Sequence, residues 1–429
     1  MRRVMVKELN NYINEEVKIQ GWIYRIRKLK EITFMILRDR TGLVQCVIDN
    51  KTIDMGNIKL ESVVSIIGEV KENNNILNPF EISTKNFEIL NEVKEELPIE
   101  INKKQLEINL DTMLNNRILS LRHEKINSIF KIQNLIIQGF REFLTKEGFT
   151  EIFTPKIVAE GAEGGTEIFE VKYFENKAYL AQSPQFYKQM MVGAGYERVF
   201  EIAHVYRAEQ HNTNRHLNEY ISMDFEMGFI ENEEDVMNME ENLLKHVLNK
   251  IEKEGKEYLE ILNIVIPKIE NTIPRIKFSE AIEILRKEYN KTDIDGDLDP
   301  EGEKLICKYA KEKLGCEFIF LTHYPRKKRP MYTMPCGENE THSFDLLFRG
   351  IEITTGGQRI HEYDMLIDNI KYKGLNPEKY HNYTSVFKYG MPRHGGLAIG
   401  LERITMQILK LENVREASLI PRDRTRLTP

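Results

Sequence analysis

Cysteine is scarce in this sequence: Cys46, Cys307, Cys316 and Cys336 are the only four in 429 residues, and no two stand in a CxxC spacing. A disulfide framework and a CxxC-type metal or redox motif are therefore excluded, and a reducing cytoplasm is the expected compartment. No apolar run is long enough to span a bilayer, and the stretch from Met1-Arg2-Arg3-Val4 onward lacks the apolar segment of a signal peptide. Positive charge is not in excess either. With a net charge of −6, any nucleic-acid contact falls to local patches such as Arg25-Ile-Arg27-Lys28-Leu-Lys30 or Arg326-Lys-Lys-Arg329, and each of these alone reads as a solvated face.

What is present is material for a large core. With 41% hydrophobic and 30% charged residues, the chain divides into two or three domains. Residues 17–26, 33–38, 44–48, 62–70 and 80–90 read as short strands punctuated by Gly21, Gly42 and Gly68, the pattern of a small OB-type barrel. Such barrels stack bases on aromatic side chains in a cationic groove, and Phe34 flanked by Arg27 and Lys28 is the candidate, with a place in the core as the alternative. Residues 96–124, charged and opened by Pro98, read as a hinge.

From Ile126 the apolar positions Ile129, Ile132, Ile136, Phe140 and Phe143 recur at helical spacing up to Gly148, and Phe149 to Pro155 leave as a strand. A long hairpin follows over residues 198–230. Its second limb alternates: Ile221, Met223, Phe225, Met227 and Phe229 face one way, and Tyr220, Ser222, Asp224 and Glu226 the other. A floor carrying two carboxylates is costly to bury unless cations or a ligand satisfy it, so this limb marks a site for a charged ligand. Further on, the run from Ser343 to His361 reads as two strands about Gly350 that bring Asp345, Glu352 and Arg359 onto one sheet. Two carboxylates and a hydroxyl, Thr355, without a neighbouring thiolate suit a hard cation such as Mg²⁺ held with phosphates, with plain ion pairing as the alternative. Gly395-Gly396-Leu-Ala-Ile-Gly400-Leu401-Glu402-Arg403 turns from strand to helix, where backbone donors and the helix dipole favour phosphate.

Arg207-Ala208-Glu209 followed by Arg215-His216-Leu217-Asn-Glu-Tyr220 resembles the second signature motif of class II aminoacyl-tRNA synthetases, in the form of the aspartyl, asparaginyl and lysyl group. The helix ending at Gly148 with its strand resembles the first motif, and Gly400-Leu401-Glu402-Arg403 the third. The stretch Gly21 to Gln45 is similar to the anticodon barrel of aspartyl-tRNA synthetases, and Ala181-Gln-Ser-Pro-Gln185-Phe-Tyr-Lys188 to their aspartate-binding segment. The ending Ile420-Pro421-Arg422-Asp423-Arg424 also resembles the aspartyl group.

This resemblance implies an α+β fold: an OB-fold anticodon-binding barrel over 1–95, a hinge over 96–124, and a class II catalytic domain over 125–429 with an antiparallel sheet flanked by helices. It is of the compact archaeal and eukaryotic type, because about a hundred residues between the second and third motifs are too few for the large bacterial insertion. It implies a homodimer. It further implies ATP-dependent attachment of L-aspartate to tRNA(Asp) through an aspartyl-adenylate, with Mg²⁺. The matching positions for ATP are Arg207, Ala208, Glu209, Arg215, His216, Leu217, Tyr220, Glu352, Gly400, Leu401, Glu402 and Arg403, with Arg207 and Arg403 catalytic. Those for aspartate are Glu163, Gln185, Lys188, Arg207, Thr355 and Arg359; for the metal, Asp345, Glu352 and Thr355; for the anticodon, Tyr24, Arg27, Phe34 and Gln45. Selection of aspartate over asparagine is expected to rest on Lys188 and Arg359, which an isosteric amide would leave uncompensated. Tyr24 departs from the Trp of strict enzymes and points to relaxed use of tRNA(Asn) as well. An asparaginyl-tRNA synthetase and a non-catalytic tRNA-binding paralogue are the alternatives.

Overall fold

The computed structural model describes residues 1–73, 79–159, 167–211, 213–294 and 296–428. The chain forms two compact units, Met1–Ile108 and Asn109–Pro429.

In the first unit β1 (Glu16–Lys28), β2 (Ile32–Arg38), β3 (Leu43–Asp49), β4 (Val63–Glu72) and β5 (Phe80–Asn91) close a barrel in the order β1-β2-β3-β5-β4. Inward-facing residues alternate over most of β1 and along β2 and β3. Val17, Ile19 and Ile23 of β1, Met35 and Leu37 of β2, and Val44, Cys46 and Ile48 of β3 fill the interior with almost no exposure. Closure demands a close approach at Gly21, where a Cβ would lie 2.1 Å from the carbonyl oxygen of Arg38. Phe34 is on the outer face and not in the core, directly opposite Arg27.

The second unit is built on an eight-stranded sheet. Its strands are β6 (Thr150–Glu151), β7 (Arg198–Tyr206), β8 (Glu219–Gly228), β9 (Arg275–Lys277), β10 (Phe318–Thr322), β11 (Ser343–Phe348), β12 (Ile351–Gln358) and β13 (His394–Gly400). They lie in the order β9-β10-β11-β12-β13-β8-β7-β6, antiparallel except at the two outermost pairs. One face is covered by α1 (Glu124–Lys146) and α3 (Glu233–Glu254), whose apolar stripes meet Phe200, Phe225, Phe320 and Phe344 from the strands. The other helices named below are α2 (Gln185–Met191), α4 (Phe278–Tyr289), α5 (Pro300–Lys313) and α6 (Leu401–Leu409). Among the described residues no helix is long and apolar enough to cross a membrane.

The hairpin β7–β8 forms with Val205 opposite Tyr220 and Glu201 opposite Asp224. Met223, Phe225 and Met227 enter the core, as the alternation requires. Phe229 does not join them. The strand ends at Gly228, Phe229 takes a left-handed φ of 58°, and its side chain is 72% exposed. Period-2 reasoning fails there because the chain is already turning.

His394, which opens β13, is completely buried; its Nδ1 bonds the Pro392 carbonyl oxygen and its Nε2 is 3.1 Å from the Gln189 side-chain oxygen. Burial lowers its imidazole from 6.5 to about 4. The unfolded chain takes up that proton below 6.5 and the folded chain only below about 4, so stability falls as pH drops through this window. One proton corresponds to about 1.4 kcal/mol per pH unit. Nitrogen-15 NMR should find the His394 ring neutral at pH 5, and His394→Asn should flatten the acid limb of the stability curve. A ring titrating near its ordinary value would contradict this.

Candidate functional site

The polar face of β8 is the floor of the site. Asp224 and Glu226 are both almost wholly buried there, and two cations meet them. Lys188, from α2, donates to Asp224 Oδ1 at 2.9 Å and to the Leu397 carbonyl at 2.9 Å, and lies 3.5 Å from Glu226 Oε2. Arg359, just beyond β12, donates from Nε to Glu226 Oε1 at 3.0 Å and from Nη2 to the Gly396 carbonyl at 2.9 Å. Ser222 donates to Asp224, and Gln185 Oε1 receives a long bond of 3.4 Å from Arg359. Burial alone would raise the Glu226 carboxyl, but Arg359 and Lys188 outweigh it and hold it below the usual carboxylate value.

Lys188 and Arg359 are the two residues expected to select the aspartate carboxylate. Each already holds a carboxylate of the floor, giving two positive and two negative charges. Gly396 makes the arrangement possible: a Cβ there would lie 2.2 Å from both Glu226 Oε2 and the Phe225 carbonyl oxygen, so β13 crosses the floor only as glycine.

A cleft next to the floor collects most of the residues expected around ATP, with Arg207, Glu209, Arg215, His216, Leu217, Tyr220, Glu352, Thr355, Gly400, Glu402 and Arg403 all lining it. Arg207 leaves β7 with its guanidinium 5.8 Å from the centre of the Tyr220 ring and 4.0 Å from Glu209. Asn218 pins the loop by donating to the carbonyls of Arg207 and Glu209 at 2.7 and 3.1 Å. His216 is 3.6 Å from Glu209 and 2.6 Å from the Thr213 hydroxyl. Burial, with Arg403 and Arg215 adding to it, lowers its imidazole to about 4, so it is neutral at physiological pH. Glu402 accepts the Ile221 N–H on both oxygens, at 3.2 and 3.1 Å, and burial raises its carboxyl to about 8. It thereby ties the start of α6 to the hairpin.

Arg403 donates from Nη1 to the Glu352 carbonyl at 3.2 Å, and the same atom is 3.9 Å from the Glu352 carboxylate. Thr355 donates to that carboxylate at 2.8 Å. Glu352 and Thr355 would fall on opposite faces of a regular strand; a bulge between Leu346 and Leu347 pairings sets Glu352 opposite Leu347 and lets the two side chains meet. Asp345 faces Thr355 across the ladder, but its Oδ2 is held at 2.7 Å by Arg329. Its Oδ1 is buried without a hydrogen-bond partner, and burial raises the carboxyl to about 6, with Arg329 opposing and Glu352 adding to the rise.

Several residues sit apart from this cluster. Leu401 is fully buried in the core, so only its backbone belongs to the helix start. Ala208 enters through its backbone, with its N–H on the Glu167 carbonyl at 3.0 Å. Glu163 lies outside the described residues. In the barrel unit Arg27, Phe34 and Gln45 share the outer face of β1–β3, and Tyr24 lies at a bulge between Ile23 and Arg25, its ring 5.8 Å from the Arg38 guanidinium.

Sequence reading missed two partners. Glu303, from α5, binds Arg215 at 2.7 Å across 88 residues of sequence in a segment without a motif. Arg329 and Arg326 belonged to a run read as solvated, yet Arg329 is 3.8 Å from the Tyr324 ring centre and bound to Asp345, and Arg326 donates to Asn369. The signal for Arg329 was the unpaired Asp345 itself, a buried acid in need of a cation.

Residues 109–424 match the family model of class II tRNA synthetases for D, K and N, and residues 17–90 that of the OB-fold nucleic acid binding domain. The chain is 47% identical to the Aspartate--tRNA(Asp/Asn) ligase of Thermus thermophilus, over 100% of both chains. It is 44% identical to the Aspartate--tRNA(Asp) ligase of Pyrococcus furiosus, over 99% of this chain and 98% of the other. The solved structure of Pyrococcus horikoshii asparaginyl-tRNA synthetase with asparaginyl-adenylate superposes with a TM-score of 0.92 at 28% identity, covering 100% of both chains. Sequence identity thus separates the aspartyl from the asparaginyl branch where the shared fold does not. The chain belongs to the aspartate–tRNA ligases of the class II aminoacyl-tRNA synthetases, with an OB-fold anticodon-binding domain.

Proposed function

We propose that this ligase joins aspartate to both tRNA(Asp) and tRNA(Asn), and that the charge-balanced floor beneath β13 is where the aspartate side chain is recognised. The observation that carries the second half is that two buried cations, Lys188 and Arg359, meet at the polar face of β8, whose Ser222 also lines the cleft. Support for the first half is Tyr24 at its bulge, together with the naming of the Thermus thermophilus relative for both tRNAs.

In the first step an oxygen of the aspartate α-carboxylate attacks the α-phosphorus of ATP, the bond to the bridging oxygen of pyrophosphate breaks, and aspartyl-adenylate forms. In the second, a terminal ribose hydroxyl of tRNA attacks the aspartyl carbonyl and AMP leaves. No side chain is needed as a nucleophile, so rate enhancement comes from positioning and from charge placed where it develops. Arg207 holds the α-phosphate and Arg403 the γ-phosphate. Neutral His216 and Glu209 steady the nucleotide, and Tyr220 supplies an aromatic surface. Glu163 meets the substrate ammonium.

The oxygen donors fit a hard divalent cation: Glu352 and Thr355 face the cleft together, and Asp345 keeps one buried oxygen unpartnered. Mg²⁺ held there would neutralise charge on the departing pyrophosphate. A homodimer is supported by apolar side chains left open around the first motif, with Phe153 83% exposed and Ile157 52% exposed. The expected compartment is the cytoplasm.

Charging of tRNA(Asp) and tRNA(Asn) transcripts with labelled aspartate tests the proposal: both should accept it, and Tyr24→Trp should cut charging of tRNA(Asn) by roughly tenfold, about 1.4 kcal/mol. Acceptance by tRNA(Asp) alone would overturn relaxed specificity. For the activation step, Arg207→Ala should lower aspartate-dependent ATP–pyrophosphate exchange by about 10²–10³ in kcat. Gly396→Ala should abolish aspartate activation while leaving ATP binding in the cleft measurable by equilibrium dialysis, because the new methyl displaces Glu226 and with it Arg359.

A further inference from the structure

The cleft uses oxygen donors. A separate group of side chains at the far end of β10 and β11 offers nitrogen and sulfur, and nothing in the aminoacylation chemistry employs it. His323 follows β10, Cys336 lies on the short strand Pro335–Cys336, and His342 stands immediately before β11. One ring nitrogen of each histidine and the Cys336 Sγ lie within 4.8 Å of one another. We propose that His323, Cys336 and His342 form a binding site for a borderline transition-metal ion of the Zn²⁺ class.

Three features beyond proximity support it. The donor set is the N₂S type that suits Zn²⁺ and not Mg²⁺, so the cation serving the cleft would not compete for it. Glu233, at the start of α3 and only 4% exposed, touches both rings: one oxygen is 2.8 Å from His342 Nδ1 and the other 3.9 Å from His323 Nε2. A buried carboxylate behind the histidines is the partner that orients metal-bound imidazoles, and a cation in front of them would balance its charge. Finally, His323 is held in the left-handed region at φ 58°, by its own N–H on the Ser343 carbonyl at 3.0 Å and by its ring against the Thr322 hydroxyl at 3.0 Å.

Nitrogen at ~2.0 Å and sulfur at ~2.3 Å from a tetrahedral ion are roughly 3.5 Å apart, so closing the present spacing takes a contraction of about 1 Å. The short hairpin that carries Cys336 can supply it, since all three donors are half-buried. Binding converts the Cys336 thiol to thiolate and releases its proton to solvent, and water completes the fourth position. The ion would staple the ends of three segments together. His342 N–H bonds the Met334 carbonyl, Gln358 N–H bonds the His342 carbonyl, and Thr333 bridges to Arg359. Metal occupancy would therefore stiffen the backbone that leads into Arg359.

The test is titration of chelator-washed full-length protein with Co²⁺ alone, in excess Mg²⁺. The expected result is one equivalent bound, with tetrahedral ligand-field bands and a sulfur-to-cobalt charge-transfer band, both removed by one equivalent of Zn²⁺. Cys336→Ser should lose the charge-transfer band, while Cys316→Ser, which removes the other half-exposed thiol, should keep it. His342→Ala should weaken Co²⁺ binding more than about tenfold. Aspartate-dependent exchange by Cys336→Ser reports that the variant is folded. Absence of the charge-transfer band from the wild type, or its persistence in Cys336→Ser, would overturn the proposal.

Discussion

Two buried carboxylates on one strand of the catalytic sheet, each with a cation against it, constrain the rest of the site. Asp224 and Glu226 are 1% and 0% exposed on the polar face of β8. Burial would raise the Glu226 carboxyl, and the neighbouring Arg359 and Lys188 hold it below its usual value instead. Breaking a buried pair of this kind by deleting one partner typically costs about 3–5 kcal/mol, because the other charge is left stranded. The floor is therefore a unit, and its four members come from β8, α2 and the end of β12.

That unit accounts for features elsewhere that look unrelated in sequence. β13 must cross the floor without a side chain at Gly396, and it then delivers Gly400 and Arg403 to the cleft. Glu402 fastens the same turn to the backbone of Ile221, beside the floor residue Ser222. The cleft and the floor are thus held together by one strand and one hairpin. The neighbouring acids differ from those of the floor: Asp345 keeps one oxygen without a hydrogen-bond partner, and Arg403 stands 3.9 Å from the Glu352 carboxylate.

Much of this was legible beforehand, and the legible part is local. Short strand-like runs between turn glycines marked the barrel over residues 17–90, and the helix before Gly148 followed from its 3.6-residue stripe. The motifs at 207–220 and 400–403 are contiguous stretches, so they carried their geometry with them. What escaped depended on backbone irregularity or on partners far apart. Phe229 left its pattern through one left-handed residue, and the bulge opposite Leu347 turned Glu352 toward Thr355 against the parity of a regular strand. Glu303 found Arg215, and Arg329 found Asp345, through folding alone. Lys188 and Arg359 were expected to serve aspartate, but their partners Asp224 and Glu226 became visible only in the fold.

The central claim is that the paired cations of the floor, rather than the shape of the pocket, select a carboxylate over an amide. It is tested by the ratio of kcat/KM for aspartate to that for asparagine in ATP–pyrophosphate exchange, in the wild type and in Arg359→Gln. If the claim holds, the ratio falls by roughly 100-fold or more in the variant while the KM for ATP is unchanged. A ratio that survives the loss of the guanidinium would contradict it and return the selection to shape.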